Sequence, residues 1–153
     1  RRLHAIRDAF RSIGAGSVYL DLQGRCATLT LSQPRVRNAL SGSMMAQLDA
    51  CIDRLGQWDG SAVVIRGEGG FFCSGADFGT VRELDSSSRG ADMCFLMQHA
   101  LGKLGSLPLV VVVAVDGGAV GGGAELTTVG DLRVVHSDAT LRFPQASLGV
   151  TPG

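Results

Sequence analysis

The chain has 153 residues, and its 14 basic and 14 acidic side chains give a formal net charge of zero. With 45% apolar and 18% charged residues, the composition argues against an intrinsically disordered chain. The absence of a positive excess argues against a protein that binds nucleic acid through a basic surface. Glycine is over-represented, with 22 residues, roughly double the ~7% of average usage. A single domain is expected at this length.

The first 17 residues are expected to form an N-terminal extension, and residues 18–153 the core domain. The extension begins with Arg rather than Met, so the sequence is expected to be a fragment or a processed chain. Its arginines favour an ordinary solvated helix, with the remnant of a transit peptide as the alternative. No apolar stretch reaches the ~20 residues that a spanning helix needs, so no membrane partner is expected.

The four cysteines are far apart in the sequence and form no CxxC pair, and no paired histidines lie near them. Zinc sites need ligands at short, regular spacings, so no metal site is expected. Free thiols are typical of a reducing compartment. The expected location is therefore the cytosol, with the mitochondrion as the second choice.

The first predicted elements are a β-hairpin and a helix. Residues 18–22 and 27–31 alternate or are continuously apolar, and the Gln-Gly-Arg sequence between them is typical of a hairpin turn. Ser41 is predicted to cap a helix, because apolar residues recur after it at helical spacing as far as Leu55.

Two strands and a helix are predicted between residues 62 and 115. Residues 62–66 (AVVIR) predict a short buried strand, and residues 93–104 predict a second helix that ends before Pro108. The serines at 86–88 are expected to form a loop before that helix. Residues 109–115 (LVVVVAV) predict a strand buried on both faces, as in a parallel sheet.

The last third of the chain predicts a short helix from about Ala124 and two apolar segments, residues 132–135 and 139–143. No linker and no low-complexity tract interrupts this order. Because strands alternate with helices along the whole chain, the predicted fold class is α/β.

Two glycine-rich segments stand out, residues 69–78 (GGFFCSGADF) and 116–125 (DGGAVGGGAE). Each follows a predicted strand and precedes a predicted helix, so each brings the unpaired N–H groups of a helix N-terminus beside glycine backbone. Neither contains GxGxxG or a P-loop, and the chain has no GxSxG nucleophile elbow. Binding of dinucleotides or triphosphates is therefore not supported.

If the two segments face each other, one N–H group from each can bind the same oxygen. Such an oxyanion hole contributes roughly 2.7–4 kcal/mol per donor. The alternative is that the glycines only permit tight packing of strand on helix. Glu125 favours the functional interpretation, because a charge in an apolar run is costly unless it is paired or used for proton transfer. A helix N-terminal acid stabilised by the dipole is the alternative for this residue.

Four separated motifs also resemble a known family. They are PxxxNAL at residues 34–40, FCSGADF at 72–78, GGGAE at 121–125 and LGVTPG at 148–153. In order and spacing, from about residue 18 onward, they resemble the enoyl-CoA hydratase/isomerase (crotonase) superfamily. The resemblance implies a spiral of ββα repeats, truncated before the C-terminal helical part. It also implies an acyl-CoA substrate, an enolate intermediate and a homo-oligomer based on trimers.

The resemblance also implies a set of site residues. The backbone N–H groups of Ala76 and Gly122 would form the oxyanion hole, and Glu125 would transfer the proton. The implied contacts with CoA are at Ala39, Ser74, Asp77, Phe78 and Gly79, with Arg35 or Arg37 meeting a CoA phosphate. CoA is part of the substrate, so no metal and no separate cofactor is implied.

The chain departs from the hydratases of this family at Gln145. Those enzymes use two glutamates to place and activate water, and only the first is matched here, by Glu125. An amide is neither an acid nor a base near neutral pH. Gln145 is therefore a candidate catalytic-site residue that argues against hydration by two carboxylates.

Less generic segments resemble the members of the superfamily that decarboxylate malonyl-type thioesters. These are SGSMMAQL at residues 41–48, VIRG at 64–67, MCFLMQ at 93–98 and GGGAELTT at 121–128. The implied reaction converts ethylmalonyl-CoA, and more slowly methylmalonyl-CoA, to butyryl-CoA or propionyl-CoA. The alternatives are a hydratase or isomerase that uses one glutamate, and a catalytically silent acyl-CoA-binding subunit.

Overall fold

A computed structural model describes residues 1–84 and 86–149 of the chain, except for the side chain of Leu148. Most of the LGVTPG motif, residues 150–153, lies outside the described residues. The strands in chain order are β1 (Ser17–Gln23), β2 (Cys26–Ser32), β3 (Ala62–Gly67), β4 (Val110–Val115), β5 (Gly118–Val120), β6 (Leu132–Val135) and β7 (Thr140–Arg142).

Five of these strands form the main sheet, in the order β1-β2-β3-β4-β6. Strands β1 and β2 form an antiparallel hairpin, and the other neighbouring strands are parallel. The predicted hairpin, the parallel sheet and the α/β class are therefore confirmed. Parallel strands end at the same edge of a sheet, and the segments after β3 and β4 are the two glycine-rich ones.

Strands β5 and β7 form a second, two-stranded parallel sheet. Strand β5 lies inside the second glycine-rich segment, where the sequence predicts no strand. Glycine is depleted in strands, because it loses much backbone entropy and has no side chain to pack. Here β5 pairs with β7 on one side, and Ala119 forms a parallel bridge with Cys73 on the other.

The described α-helices are α1 (Arg2–Phe10), α2 (Gly42–Leu55), α3 (Phe78–Glu83), α4 (Ser87–Ser106) and α5 (Gly122–Thr128), with 3-10 helices at Pro34–Val36 and Gln145–Leu148. Ser41 caps α2 as predicted, since its hydroxyl accepts a hydrogen bond from Met44 N at 3.1 Å. None of the helices that the structure describes combines the length and the apolar character needed to cross a membrane.

The structure corrects three expectations. The serines at 86–88 do not form a loop, because Ser86 caps α4 and Ser87 begins it. The N-terminal helix is not simply solvated, because Ile6 and Phe10 on α1 are buried in the core. Strand β4 is not buried on both faces, since Val110 at its start is 47% exposed.

A buried ionic cluster fixes α1 to α2 and α4. Arg7 on α1 donates hydrogen bonds to Asp49 and to Asp53, and Lys103 on α4 donates to the same two carboxylates at 2.9 and 2.5 Å. Burial opposes the ionisation of Asp53, but the hydrogen bonds from Lys103 and Arg7 outweigh it and lower the pKa of this carboxyl. A charged residue on α1 is therefore part of the interior.

Candidate functional site

The two glycine-rich segments lie side by side. Cys73 in the first pairs with Ala119 in the second, and Val120 N donates to Cys73 O at 2.9 Å. The PxxxNAL segment joins them, because Leu40 forms a parallel bridge with Ala76. Segments that are far apart in the sequence therefore form one surface at the end of the parallel strands.

The close approach of the segments requires glycine at two positions. Gly75 has φ +96°, and a Cβ there would lie 2.8 Å from Val120 O and 3.4 Å from Gly122 N. A Cβ on Gly123 would lie 2.2 Å from Cys73 O. The 2.8 Å and 2.2 Å distances are shorter than ordinary carbon contacts, so side chains at these positions would push the segments apart.

The backbone directs two N–H groups toward the region between the segments. Leu40 N donates to Gly75 O at 2.7 Å and Leu40 O accepts from Asp77 N at 3.0 Å, so the N–H of Ala76 is turned away from this ladder. Gly122 is the first residue of α5, where an N–H has no intrahelical acceptor. Among the described residues neither N–H has a hydrogen-bond acceptor. A Cβ on Gly122 would lie 3.9 Å from Ala76 N.

A carboxylate and an amide meet beside these donors. Glu125 lies in the first turn of α5, and its Oε1 accepts a hydrogen bond from Gln145 Nε2 at 2.6 Å. Gln145 is the first residue of the second 3-10 helix and is 7% exposed. The structure thus brings Ala76, Gly122, Glu125 and Gln145 to one place. This grouping is what an oxyanion hole with an adjacent proton-transfer group requires.

Cys73 lies directly behind this surface but is a poor nucleophile. It is fully buried, and burial raises the pKa of its thiol to about 12, although the N–H of Gly75 partly opposes the shift. A thiol must ionise to attack a carbonyl. Cys73 is therefore not a candidate nucleophile, and the candidate groups of the site are the hydrogen-bond donors and the Glu125 carboxyl group.

The predicted CoA-binding arginines lie beside the first glycine-rich segment. Arg35 is on the 3-10 helix Pro34–Val36, and Arg37 follows it with a left-handed φ of 54°. Ser74 connects to this loop, since its N donates to Arg37 O at 2.9 Å and its Oγ to Val36 O at 3.0 Å. Both arginines are exposed residues, and the Arg37 guanidinium carbon lies 5.4 Å from the centre of the Phe71 ring, so a phosphate can reach them from solvent.

The remaining predicted CoA contacts differ in accessibility. Ala39 is 7% exposed, whereas Phe78 is 79% exposed and Gly79 is also exposed. Asp77 caps α3, because its Oδ1 accepts from Thr80 N at 2.9 Å. The Asp77 side chain therefore has a structural role in the described chain, and any contact of this residue with a ligand would involve its backbone or its second oxygen.

Sequence reasoning missed Asn38 as a structural support of the site. Its side chain is fully buried and accepts from Gln33 N at 2.8 Å while donating to the Glu68 and Phe71 carbonyls at 2.8 and 2.7 Å. It therefore ties the arginine loop to the first glycine-rich segment. The asparagine of the PxxxNAL motif was the available signal, but its partners are far away in the sequence.

Sequence reasoning also missed an open cleft next to α5. The cleft has a volume of about 550 Å³. It is lined by Val120, Arg142, Phe143, Pro144 and Ser147. It adjoins the N-terminus of α5, because the carbonyl oxygen of Arg142 accepts a hydrogen bond from Gly121 N at 2.9 Å. The cleft leaves space for part of a ligand next to the N–H donors of the candidate site.

Comparison with known proteins identifies the protein family to which the chain belongs. Residues 21–153 match the family described as Enoyl-CoA hydratase/isomerase, and the chain belongs to this family. Solved structures agree with the fold. An enoyl-CoA hydratase from Polaromonas sp. JS666 superposes with a TM-score of 0.83 at 26% identity, covering 90% of this chain and 55% of that one. An enoyl-CoA hydratase/isomerase from Marinobacter aquaeolei gives 0.81 at 28% identity, covering 88% and 54%. The predicted crotonase-like fold is confirmed.

Among curated proteins, the chain is similar to particular members of the family. The chain is 42% identical over 152 residues to a Danio rerio protein named ethylmalonyl-CoA decarboxylase, covering 97% of this chain and 50% of the relative. A Gallus gallus protein of the same name is 37% identical over 150 residues, with the same coverage. The chain thus spans about half the length of the curated relatives it matches.

Proposed function

We propose that this chain carries the acyl-CoA site of a decarboxylase that converts ethylmalonyl-CoA, and more slowly methylmalonyl-CoA, to butyryl-CoA or propionyl-CoA. The observation that carries the proposal is the convergence of the two glycine-rich segments beside the Glu125 carboxyl group, which accepts a hydrogen bond from the amide of Gln145. The names of the curated relatives support the same reaction.

In this proposal the thioester carbonyl oxygen binds between the N–H groups of Ala76 and Gly122. When the bond to the substrate carboxylate breaks, carbon dioxide leaves and the electron pair of that bond forms an enolate. The negative charge falls on the thioester oxygen, where each donor contributes roughly 2.7–4 kcal/mol. Fixed backbone dipoles need little reorganisation to do this, so the proposed step requires neither a metal nor a separate cofactor.

The enolate then takes one proton on its α-carbon. Glu125 is the proposed donor, because it follows Gly122 by one turn of α5 and so lies on the same side of the helix. Solvent restores the proton after the product has formed. The balance is one proton consumed and one carbon dioxide released for each thioester.

The amide that donates to Glu125 supports decarboxylation over hydration. Adding water to a double bond requires both a base for the water and an acid for the α-carbon. Gln145 has no proton to exchange near neutral pH, so the pair contains one titratable group where two-carboxylate hydration needs two. A single proton donor is sufficient for the decarboxylation product.

The proposed handling of the CoA portion follows from the surface around the first glycine-rich segment. The exposed Arg35 and Arg37 supply charge for a phosphate, and their loop is hydrogen-bonded through Ser74 to the segment that carries the Ala76 donor. We further propose a homo-oligomer based on trimers, supported by exposed apolar residues on β6, and a cytosolic location. Sedimentation of the intact protein tests the assembly.

The test is incubation of the intact protein separately with ethylmalonyl-CoA, methylmalonyl-CoA and crotonyl-CoA, with mass spectrometry of the products. We expect butyryl-CoA and carbon dioxide from the first substrate, a slower reaction with the second and no hydration of the third. The Glu125→Gln variant should lose about 10²-fold or more in rate. Rapid hydration of crotonyl-CoA without decarboxylation would identify a hydratase, and binding without turnover would identify a silent acyl-CoA-binding subunit.

A further inference from the structure

Arg142 is the charged side chain of the cleft beside α5. Of the described residues that line this cleft, Arg142 alone carries a charge, and the others are apolar or neutral: Val120, Phe143, Pro144 and Ser147. Within the described part of the chain, the Arg142 guanidinium has neither an ion-pair partner nor a hydrogen-bond acceptor. Its charge is therefore open to a ligand that enters the cleft.

The backbone holds Arg142 next to one of the proposed oxyanion donors. In the parallel pairing of β5 with β7, Arg142 is the partner of Val120, and its carbonyl oxygen accepts from Gly121 N at 2.9 Å. Gly121 immediately precedes the Gly122 donor. Paired residues on neighbouring strands direct their side chains to the same face of a sheet, and Val120 and Arg142 line the same cleft. The base of the Arg142 side chain is therefore fixed beside the start of α5.

The cleft combines this cation with apolar side chains. Phe143 is 53% exposed, and Val120 and Pro144 belong to the same lining. A positive charge next to apolar side chains attracts an anion more strongly than a fully hydrated charge does, because less water screens it. Ser147 adds little polarity, since its Oγ donates to Pro144 O at 2.9 Å. The lining therefore suits a ligand that presents a carboxylate together with a short alkyl group.

A malonyl-type thioester carries both of these groups on one carbon. Its α-carbon is bonded to the thioester carbonyl carbon, to the free carboxylate and, in ethylmalonyl-CoA, to an ethyl group. We propose that Arg142 is a specificity-determining residue that binds the free carboxylate of the substrate, while the apolar lining receives the alkyl group. This inference rests on the proposed decarboxylation. It accounts for preferential binding of the substrate over the product, which lacks the carboxylate.

The contact acts on substrate binding rather than on the rate of bond breaking. In the step, the bond between the α-carbon and the carboxylate breaks, carbon dioxide leaves without charge, and the electron pair forms the enolate. The negative charge next to Arg142 therefore decreases toward the transition state, while charge grows on the thioester oxygen. An interaction that is stronger in the ground state does not accelerate the reaction. Loss of Arg142 should thus raise KM without lowering kcat.

The test compares two ligands that differ by the carboxylate. With the intact protein, KM is measured for ethylmalonyl-CoA, and the competitive inhibition constant is measured for butyryl-CoA, which has the same CoA portion and the same alkyl chain. The variants are Arg142→Met, which keeps an unbranched chain without the charge, and Arg142→Lys, which keeps the charge without the planar guanidinium. Arg54→Met, at an exposed position on α2, is the matched control.

We expect Arg142→Met to raise KM for ethylmalonyl-CoA about tenfold or more, with kcat at least equal to that of the wild type. The inhibition constant of butyryl-CoA should change less than about twofold, because this ligand has no carboxylate to lose. Arg142→Lys should retain part of the discrimination, and Arg54→Met should match the wild type. A variant that merely folds less well would lower kcat through a smaller active fraction and leave KM unchanged, so the readout separates recognition from stability.

The outcomes distinguish this inference from the proposed function. If the wild type releases no carbon dioxide from ethylmalonyl-CoA, the proposed function fails. If the wild type decarboxylates this substrate and Arg142→Met keeps its KM, the role of Arg142 is overturned and the decarboxylase remains. If KM and the inhibition constant of butyryl-CoA rise together, the guanidinium binds the CoA portion instead, and carboxylate recognition is likewise overturned.

Discussion

Gly123 lies against Cys73 so closely that a Cβ on Gly123 would come within 2.2 Å of the Cys73 carbonyl oxygen. That oxygen also accepts a hydrogen bond from Val120 N at 2.9 Å, so it cannot move without breaking the pairing of the two glycine-rich segments. The convergence of the Ala76 and Gly122 N–H groups therefore depends on the absence of a side chain at residue 123.

Gly123→Ala is accordingly expected to destabilise the fold as well as the site. Overpacking against backbone typically costs 1–3 kcal/mol, and we expect about 3 kcal/mol here because neither partner is a flexible side chain. This corresponds to a fall in Tm of roughly 6–12 °C. Thermal unfolding of the intact protein measures it. Gly102→Ala on α4, where nothing lies within 4 Å of an added Cβ, is the control and should be neutral or stabilising.

Gly122→Ala should separate folding from catalysis. A Cβ at this position would have its nearest contacts at 3.9 Å, from Ala76 N and Gly75 Cα, which is ordinary van der Waals distance. The variant should therefore keep a Tm within about 3 °C of the wild type. The added methyl group would occupy space beside the two N–H donors, so we expect a loss of about 10²-fold or more in the decarboxylation rate. Full activity in this variant would rule out the proposed oxyanion hole.

The regular elements could be predicted because their signals are local. The hairpin of β1 and β2 has its turn and its apolar pattern within one short stretch, and α2 has a cap and a helical repeat. Strand β5 could not be predicted in this way, because two of its three residues, Gly118 and Ala119, are poor strand formers. It exists because β7 and Cys73 supply hydrogen-bond partners from elsewhere in the chain.

The residues of the candidate site could be predicted from the sequence, but the contacts between them could not. Glycine clusters and a lone glutamate in an apolar run indicate chemistry from sequence alone. The hydrogen bond between Gln145 and Glu125 depends on the path of the chain through β6 and β7, which no local pattern encodes. The same holds for Arg7, which resembles a solvated helix residue until its two carboxylate partners on α2 are known.

Asp49→Asn should unfold more easily than the wild type. Asp49 is fully buried and faces both Arg7 and Lys103, so removing its charge leaves two cations with only the partly exposed Asp53. Breaking a buried pair from one side costs 3–5 kcal/mol, and we expect about 3 kcal/mol because Asp53 compensates in part. Urea unfolding measures the loss. Asp92→Asn removes an exposed pair with Arg2 and should cost less than about 1 kcal/mol. Equal losses in the two variants would contradict the structural role of the buried cluster.

Acid should remove the contribution of Asp53. The hydrogen bonds from Lys103 and Arg7 lower its pKa below the ordinary value of 3.8, despite the opposing effect of burial. A carboxyl with a lowered folded-state pKa stabilises the fold above its unfolded-state pKa, and this contribution is lost as the pH falls through the folded-state value. The difference in unfolding free energy between the wild type and Asp53→Asn should therefore be constant from pH 7 to about 5 and shrink below about pH 4. A difference that grows on acidification would contradict the assigned direction.

Gln145→Glu tests whether the amide determines which reaction the site performs. The substitution places a second carboxyl group within hydrogen-bond distance of Glu125, where Gln145 Nε2 now lies at 2.6 Å. Two carboxylates this close cannot both ionise, so the pair would hold one proton and supply an acid together with a base. We expect the variant to hydrate crotonyl-CoA measurably, while its decarboxylation of ethylmalonyl-CoA falls by about tenfold or more. Gln145→Met lacks both groups and should show no hydration. If Gln145→Glu remains as inactive toward crotonyl-CoA as Gln145→Met, then the shape of the acyl cleft, rather than the number of carboxylates, limits the reaction.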